Sequence, residues 1–240
     1  MSGHSKWASI KHKKGLIDAK RGKIFSKLIK EITVAAKIGG GVPENNARLK
    51  VAIDRAKASN MPNKNIDAAI KRGAGTDESA DYQEIVYEGY GPSGVGIIIS
   101  CLTDNKNRTV ADVRSTLTKN GGNLGETNSV SWQFEKKGII SIEKKAAPDE
   151  EKMMEICLEC GAEDIITEEE GYTVKTEPAD FAEVLKKIKE QNIEIAESEI
   201  TYVAKTTVPV PAETVQKVDK IVELLEDLDD VQSVSTNEST

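Results

Sequence analysis

The chain has 240 residues, 38% of them hydrophobic and 30% charged, and a net charge of −7. Such a composition suits one to three folded domains and excludes collagen-like, low-complexity and disulfide-built classes. With no apolar run of about 18 residues, no transmembrane helix is expected. Three cysteines, Cys101, Cys157 and Cys160, suit a reduced cytoplasm better than a disulfide scaffold.

The net value hides an asymmetry: residues 1–75 carry +12 and residues 76–240 carry −19. Residues 1–30 alone hold nine Lys/Arg against one acid, Asp18. A split of this kind points to separate domains and to a polyanionic partner for the basic end. The N-terminus has no apolar core or small-residue cleavage site, so no secretory signal is expected.

Residues 2–22 lack a period and read as a basic arm. From Ile24 the pattern is helical: Ile24, Phe25, Leu28, Ile29, Ile32, Ala35 and Ala36 share one face, and Lys20, Lys23, Lys27, Lys30 and Lys37 fall opposite. Gly39-Gly40-Gly41 stops this helix. A second helix is predicted over Glu44–Ser59, with Leu49, Ile53 and Ala56 inward and Arg48, Lys50, Arg55 and Lys57 mostly outward. A third is predicted over Lys64–Arg72, capped by Asn63. Residues 75–81 read as a polar linker with hinge freedom.

Beyond it the period changes. Strands are predicted at 84–90 and 95–103, a helix at 107–119, and a hairpin of 130–134 and 139–142 turning at Lys136-Lys137-Gly138. There follow a helix (149–159), strands at 165–166 and 172–176, a helix (179–191), extended segments in 193–208, a helix (211–228) and a last strand (231–234). This order predicts an α+β fold with three domains. An all-helical basic N-terminal domain spans 1–75. A discontinuous α+β domain spans 76–129 and 206–240. A second α+β sandwich, ferredoxin-like, spans 130–205 and is inserted into the first.

The candidate nucleic-acid-binding residues are Lys6, Trp7, Lys11, His12, Lys13, Lys14, Lys20, Arg21, Lys23, Lys27, Lys30, Arg48, Arg55, Lys106 and Arg108. Lysines and arginines that neutralise phosphates gain affinity by releasing counterions. Trp7 would stack on a base or anchor the arm to the helices. Lys106 and Arg108 flank a helix start that would either hold a phosphate or be a capping turn with Asn107 as N-cap. His4 and His12 have no further His or nearby Cys, so no metal site is expected. Cys157-Leu158-Glu159-Cys160 has zinc-like spacing but no second pair, and reads as structural. Gly91–Gly96 precedes a strand and fits neither nucleotide-loop pattern. No Ser/His/Asp set, Cys/His pair or carboxylate cluster points to catalysis, so neither an enzyme nor a cofactor is expected.

The stretches SGHSKWASIKHKKG and DAKRGKIFSKLIKEI, then NARLKVAIDRAK, NMPNKNI, IKRGAG, YEGYGPSG, TDNKNRT and NGGNLGETNSVSWQFEKKG, closely resemble the YebC family over essentially the whole chain. That resemblance implies three domains, a helical one and two α+β ones, and no enzyme activity. It also implies a DNA-binding transcriptional regulator, or alternatively a ribosome-associated translation factor that contacts ribosomal RNA and relieves stalling at proline-rich stretches. The expected partners are DNA or ribosomal RNA, with no membrane and no small-molecule substrate.

Overall fold

The computed structural model describes residues 17–75 and 82–239, with side chains from residue 21 onward. The fold is α+β, an N-terminal helical part followed by antiparallel sheets. Three helices open it: α1 (Ile17–Gly39), α2 (Ala47–Ala58) and α3 (Asn63–Ala74). The apolar stripe of α1 does what its spacing dictates. Leu28, Ile32, Ala35 and Ala36 pack on Leu49, Ala52, Ile53 and Ala56 of α2 and on Ile66 and Ala69 of α3. Small residues let the helices approach closely. At Gly73 a Cβ would lie 2.1 Å from the carbonyl oxygen of Thr33, so no larger residue fits there.

The second helix begins later than its composition suggests. Pro43–Asn45 form one 3-10 turn, and Asn46 is the cap. The buried Asn46 side chain accepts from Leu49 N (3.0 Å) and donates to the carbonyls of Ala35 and Gly40 (both 2.8 Å). It thus ties the end of α1 to the start of α2. Asn46→Ala removes a cap and strands two carbonyls, and is expected to cost about 2–3 kcal/mol in urea denaturation. A loss under about 0.5 kcal/mol would show that water replaces these bonds.

Next come β1 (Gln83–Tyr90), β2 (Gly96–Thr103), α4 (Lys106–Lys119), β3 (Asn123–Leu124) and, after a long excursion, α7 (Ala212–Glu226) and β9 (Val231–Thr236). The sheet order is β3-β1-β2-β9, so the C-terminal strand returns to pair with β2. Val113 and Leu117 of α4 and Ile221 and Leu225 of α7 cover Ile97, Ile99, Cys101, Val231 and Val234. Short strands β8 (Val208–Pro209) and β10 (Glu238–Ser239) pair in parallel. These elements and the three helices form one compact unit, residues 16–133 with 207–240.

The excursion is the other unit, residues 134–206. It comprises β4 (Phe134–Glu143), α5 (Glu150–Cys160), β5 (Asp164–Thr167), β6 (Gly171–Thr176), α6 (Phe181–Glu190) and β7 (Glu197–Ala204). Their sheet order, β5-β6-β4-β7, all antiparallel, is the ferredoxin-like βαββαβ arrangement.

One prediction is corrected here. Residues 130–142 are not a hairpin: residues 131–133 form a 3-10 turn, and 134–143 run as one strand paired on both sides. Lys136, Lys137 and Gly138 have turn-like composition, but tertiary contacts override it. A Cβ on Gly138 would meet Thr176 Oγ1 at 2.2 Å and Phe181 at 2.5 Å, so glycine is set by close packing. Lys137 is buried because its ammonium donates to Glu163 (2.7 Å) and Glu177 (2.5 Å). The linker hinge predicted over 75–81 lies, apart from Gly75, outside the described residues.

Candidate nucleic-acid interface

The exposed face of α1 carries the lysines that its helical spacing placed opposite the core, and three of them, Lys23, Lys27 and Lys30, are bound by acceptors of the same unit. Helix α7 ends at Glu226, and the acidic turn Asp227-Leu228-Asp229-Asp230 that follows it meets them. Lys23 donates to the Asp227 carboxylate (2.7 Å) and carbonyl (3.1 Å). Lys27 donates to the Glu226 carbonyl. Lys30 donates to the Asp230 carboxylate (2.7 Å) and the Asp229 carbonyl (2.9 Å), and lies 5.8 Å from the centre of the Tyr82 ring. The spent carbonyls at the end of α7 are natural cation acceptors, since a helix C-terminus carries partial negative charge.

Asp230 is the hub. Its side chain is 7% exposed and it also accepts from Arg108 (2.8 Å), Thr109 Oγ1 (2.8 Å) and Thr103 Oγ1 (3.2 Å). Burial alone would raise its pKa, but the bonds from Lys30, Arg108 and Thr109 outweigh that and hold it at about 2. The start of α4 is therefore not a vacant anion site. Asn105, rather than Asn107, is the cap, accepting from Arg108 N at 3.0 Å, and the chain's own carboxylate occupies the position a phosphate would take. Arg108 is also held by Asp104 (2.8 Å).

Arg48 is half-buried rather than outward: it donates to Glu31 from Nε at 2.7 Å and pairs with Glu84. Despite burial, those carboxylates raise its pKa further above its already high value. Thus Lys23, Lys27, Lys30, Arg48 and Arg108 are brought to carboxylates and carbonyls of the same unit. Arg21 and Lys106 are exposed, and Arg55 is half-buried on α2. Lys6, Trp7, Lys11, His12, Lys13 and Lys14 lie outside the described residues, as does the Lys20 side chain. Further exposed cations of the described helices are ones the sequence reading did not single out for contact. Lys50 and Lys57 recur on α2, Lys64 and Lys71 on α3, each pair seven residues apart on one helical face, with Arg72 beside Lys71; all are exposed.

The cysteines are poor nucleophiles. All three are buried, and burial pushes the Cys101 and Cys157 thiols up to about 12. Among the described residues no group of three or more His, Cys, Asp or Glu is placed to hold a metal, and no helix is long and apolar enough to cross a membrane.

Residues 5–76 match the family model described as the TACO1/YebC protein N-terminal domain, and residues 82–238 the model for the TACO1/YebC second and third domain. A probable transcriptional regulatory protein of Geobacter sulfurreducens is 53% identical over 237 residues, covering 99% of this chain and 95% of the relative. One of Francisella tularensis subsp. tularensis is 54% identical over 240 residues, covering 99% and 95%. The crystal structure of a conserved hypothetical protein from Aquifex aeolicus is 46% identical, with a TM-score of 0.86 over 93% of this chain and 92% of that one.

Proposed function

The chain belongs to the TACO1/YebC family, and from that premise we propose that it is a non-enzymatic, nucleic-acid-binding regulator of gene expression that engages DNA through residues 1–72. The supporting observation is the charge of residues 1–75, +12 in a chain of −7. The domain boundaries assigned with it are 1–75, 76–129 with 206–240, and 130–205. The relatives are named as transcriptional regulators. Because Lys23, Lys27, Lys30, Arg48 and Arg108 are engaged within the protein, the arm lysines and the outer faces of α2 and α3 are left to carry the phosphate contact. Each phosphate neutralised releases counterions, so affinity falls steeply with salt.

The triple variant Lys11→Glu, Lys13→Glu, Lys14→Glu is expected to weaken binding to a labelled duplex about a hundredfold and to flatten the salt slope. Its melting temperature should stay that of the wild type. Fluorescence anisotropy at several salt concentrations, with a promoter duplex and a ribosomal RNA fragment side by side, reads this. Saturable binding to the RNA alone would move the function to a ribosome-associated translation factor. Binding to neither would overturn the proposal.

A further inference from the structure

Among the described residues, one large aromatic side chain stands outside the cores. Trp132 is 65% exposed, in the 3-10 turn Ser131–Gln133 that precedes β4. It is not loose. Its indole N–H donates to the Ser129 carbonyl at 3.2 Å, which fixes one edge of a ring that is mostly exposed. Tyr90 O–H donates to the same carbonyl at 3.0 Å.

The loop beneath it is held by a buried charge. Glu88 on β1, 6% exposed, accepts from the backbone N–H groups of Asn128, Val130 and Ser131, each at 2.7 Å. Gly125 N donates to the Glu88 carbonyl, also at 2.7 Å. Three charge-assisted bonds from amides within four residues of one loop make a rigid seat. An aromatic ring mounted this way loses little side-chain entropy when something stacks on it.

What stacks is decided by the neighbours. Glu126, Thr127 and Asn128 are exposed, Ser131 is half-exposed, and no other large exposed hydrophobic lies between residues 120 and 135. A protein-docking surface gathers several apolar side chains around its aromatic anchor. A single ring in a loop whose exposed side chains carry hydroxyl and amide groups suits a planar heterocycle with a polar edge. Glu126 is the one charged side chain in the loop, so phosphates would not be drawn here, and the contact would be with a base.

We propose that Trp132 is a stacking platform for an unpaired nucleobase, with the hydroxyl and amide groups of Thr127, Asn128 and Ser131 at the base edge. This rests on the nucleic-acid reading above and deepens it. The cationic segment would hold the backbone, and Trp132 would read an extruded or single-stranded base. Trp7, the aromatic that the sequence singled out, is then not needed for stacking.

The test uses the full chain and labelled 12-nucleotide single strands of DNA and RNA, each with a version in which one central stretch is abasic. Trp132→Ala should weaken binding to the normal strand about tenfold and leave the abasic strand unchanged. Trp132→Phe should restore most of the loss. A 2-aminopurine in the strand should be quenched by the wild type and by Trp132→Phe, not by Trp132→Ala. The salt slope should not change, because no cation is removed. Unchanged affinity in Trp132→Ala overturns the platform and leaves the nucleic-acid reading standing. Equal weakening for normal and abasic strands also overturns it, since the ring would then act on the backbone or the fold. No binding of any single strand by the wild type also overturns the platform, while the duplex measurement above decides the nucleic-acid reading independently.

Discussion

Replacing Asp230 by asparagine is expected to cost about 3–4 kcal/mol of folding stability, the usual penalty for breaking a buried ion pair from one side. The carboxylate is where Lys30 of α1, Arg108 and Thr109 of α4 and Thr103 of β2 converge. Asparagine keeps one acceptor oxygen but turns an amide toward those donors, leaving Lys30 without its carboxylate and Arg108 with Asp104 alone. The same residue sets a pH dependence. Its ordinary value of 3.8 falls to about 2 in the folded chain. A depressed folded value means the contribution, roughly 2 kcal/mol, is fully present above about pH 4 and is lost as pH falls towards 2. Urea midpoints for wild type and Asp230→Asn should therefore converge between about pH 4 and pH 2. A gap of constant size across that window would mean that Asp230 is not the titrating partner.

The interlock at Asp230 also shows where reading the chain stops. The face of α1 that packs was legible, because burial follows a 3.6-residue period and the period is local. Its cationic face was legible too. What those cations touch was not: Lys23 meets Asp227 across 204 positions, and Lys30 meets Asp230 across 200. Nothing in the spacing of lysines tells a phosphate-facing row from one that closes on the chain's own acidic turn. Arg48 failed in the same way, outward on its own helix yet turned to Glu31 on another. The 136–138 stretch failed for a different reason. Two lysines and a glycine resemble a turn, but the lysine is needed by Glu163 and Glu177, and the glycine by the ring of Phe181. The separation of charge along the sequence thus survives only in part in space. Exposed lysines on α2 and α3 persist, while Lys23, Lys27 and Lys30 of α1 close on the acidic turn after α7.

Trp132 was hidden by the opposite effect. Val130, Trp132 and Phe134 alternate with polar residues, so the stretch reads as a strand and not as an exposed turn, and the importance of Trp132 comes from a carboxylate 44 residues earlier that no motif connects to it. That dependence gives the second large expectation. Glu88→Gln should lower stability by about 3 kcal/mol, because three loop N–H groups lose a charged acceptor and the amide nitrogen must face at least one of them. Burial works against the carboxylate, but the bonds from Val130, Asn128 and Ser131 prevail and bring its pKa below the usual value. Its contribution is therefore present above the ordinary glutamate range, near pH 4, and is lost as pH falls below it. Hydrogen exchange separates this local seat from the global fold. In Glu88→Gln the amides of 128, 130 and 131 should exchange markedly faster than those of β2, while in Asp230→Asn both should quicken together. If the loop amides of Glu88→Gln stayed as protected as the strand, the carboxylate would be a passenger, and the rigid mounting of Trp132 would have some other cause.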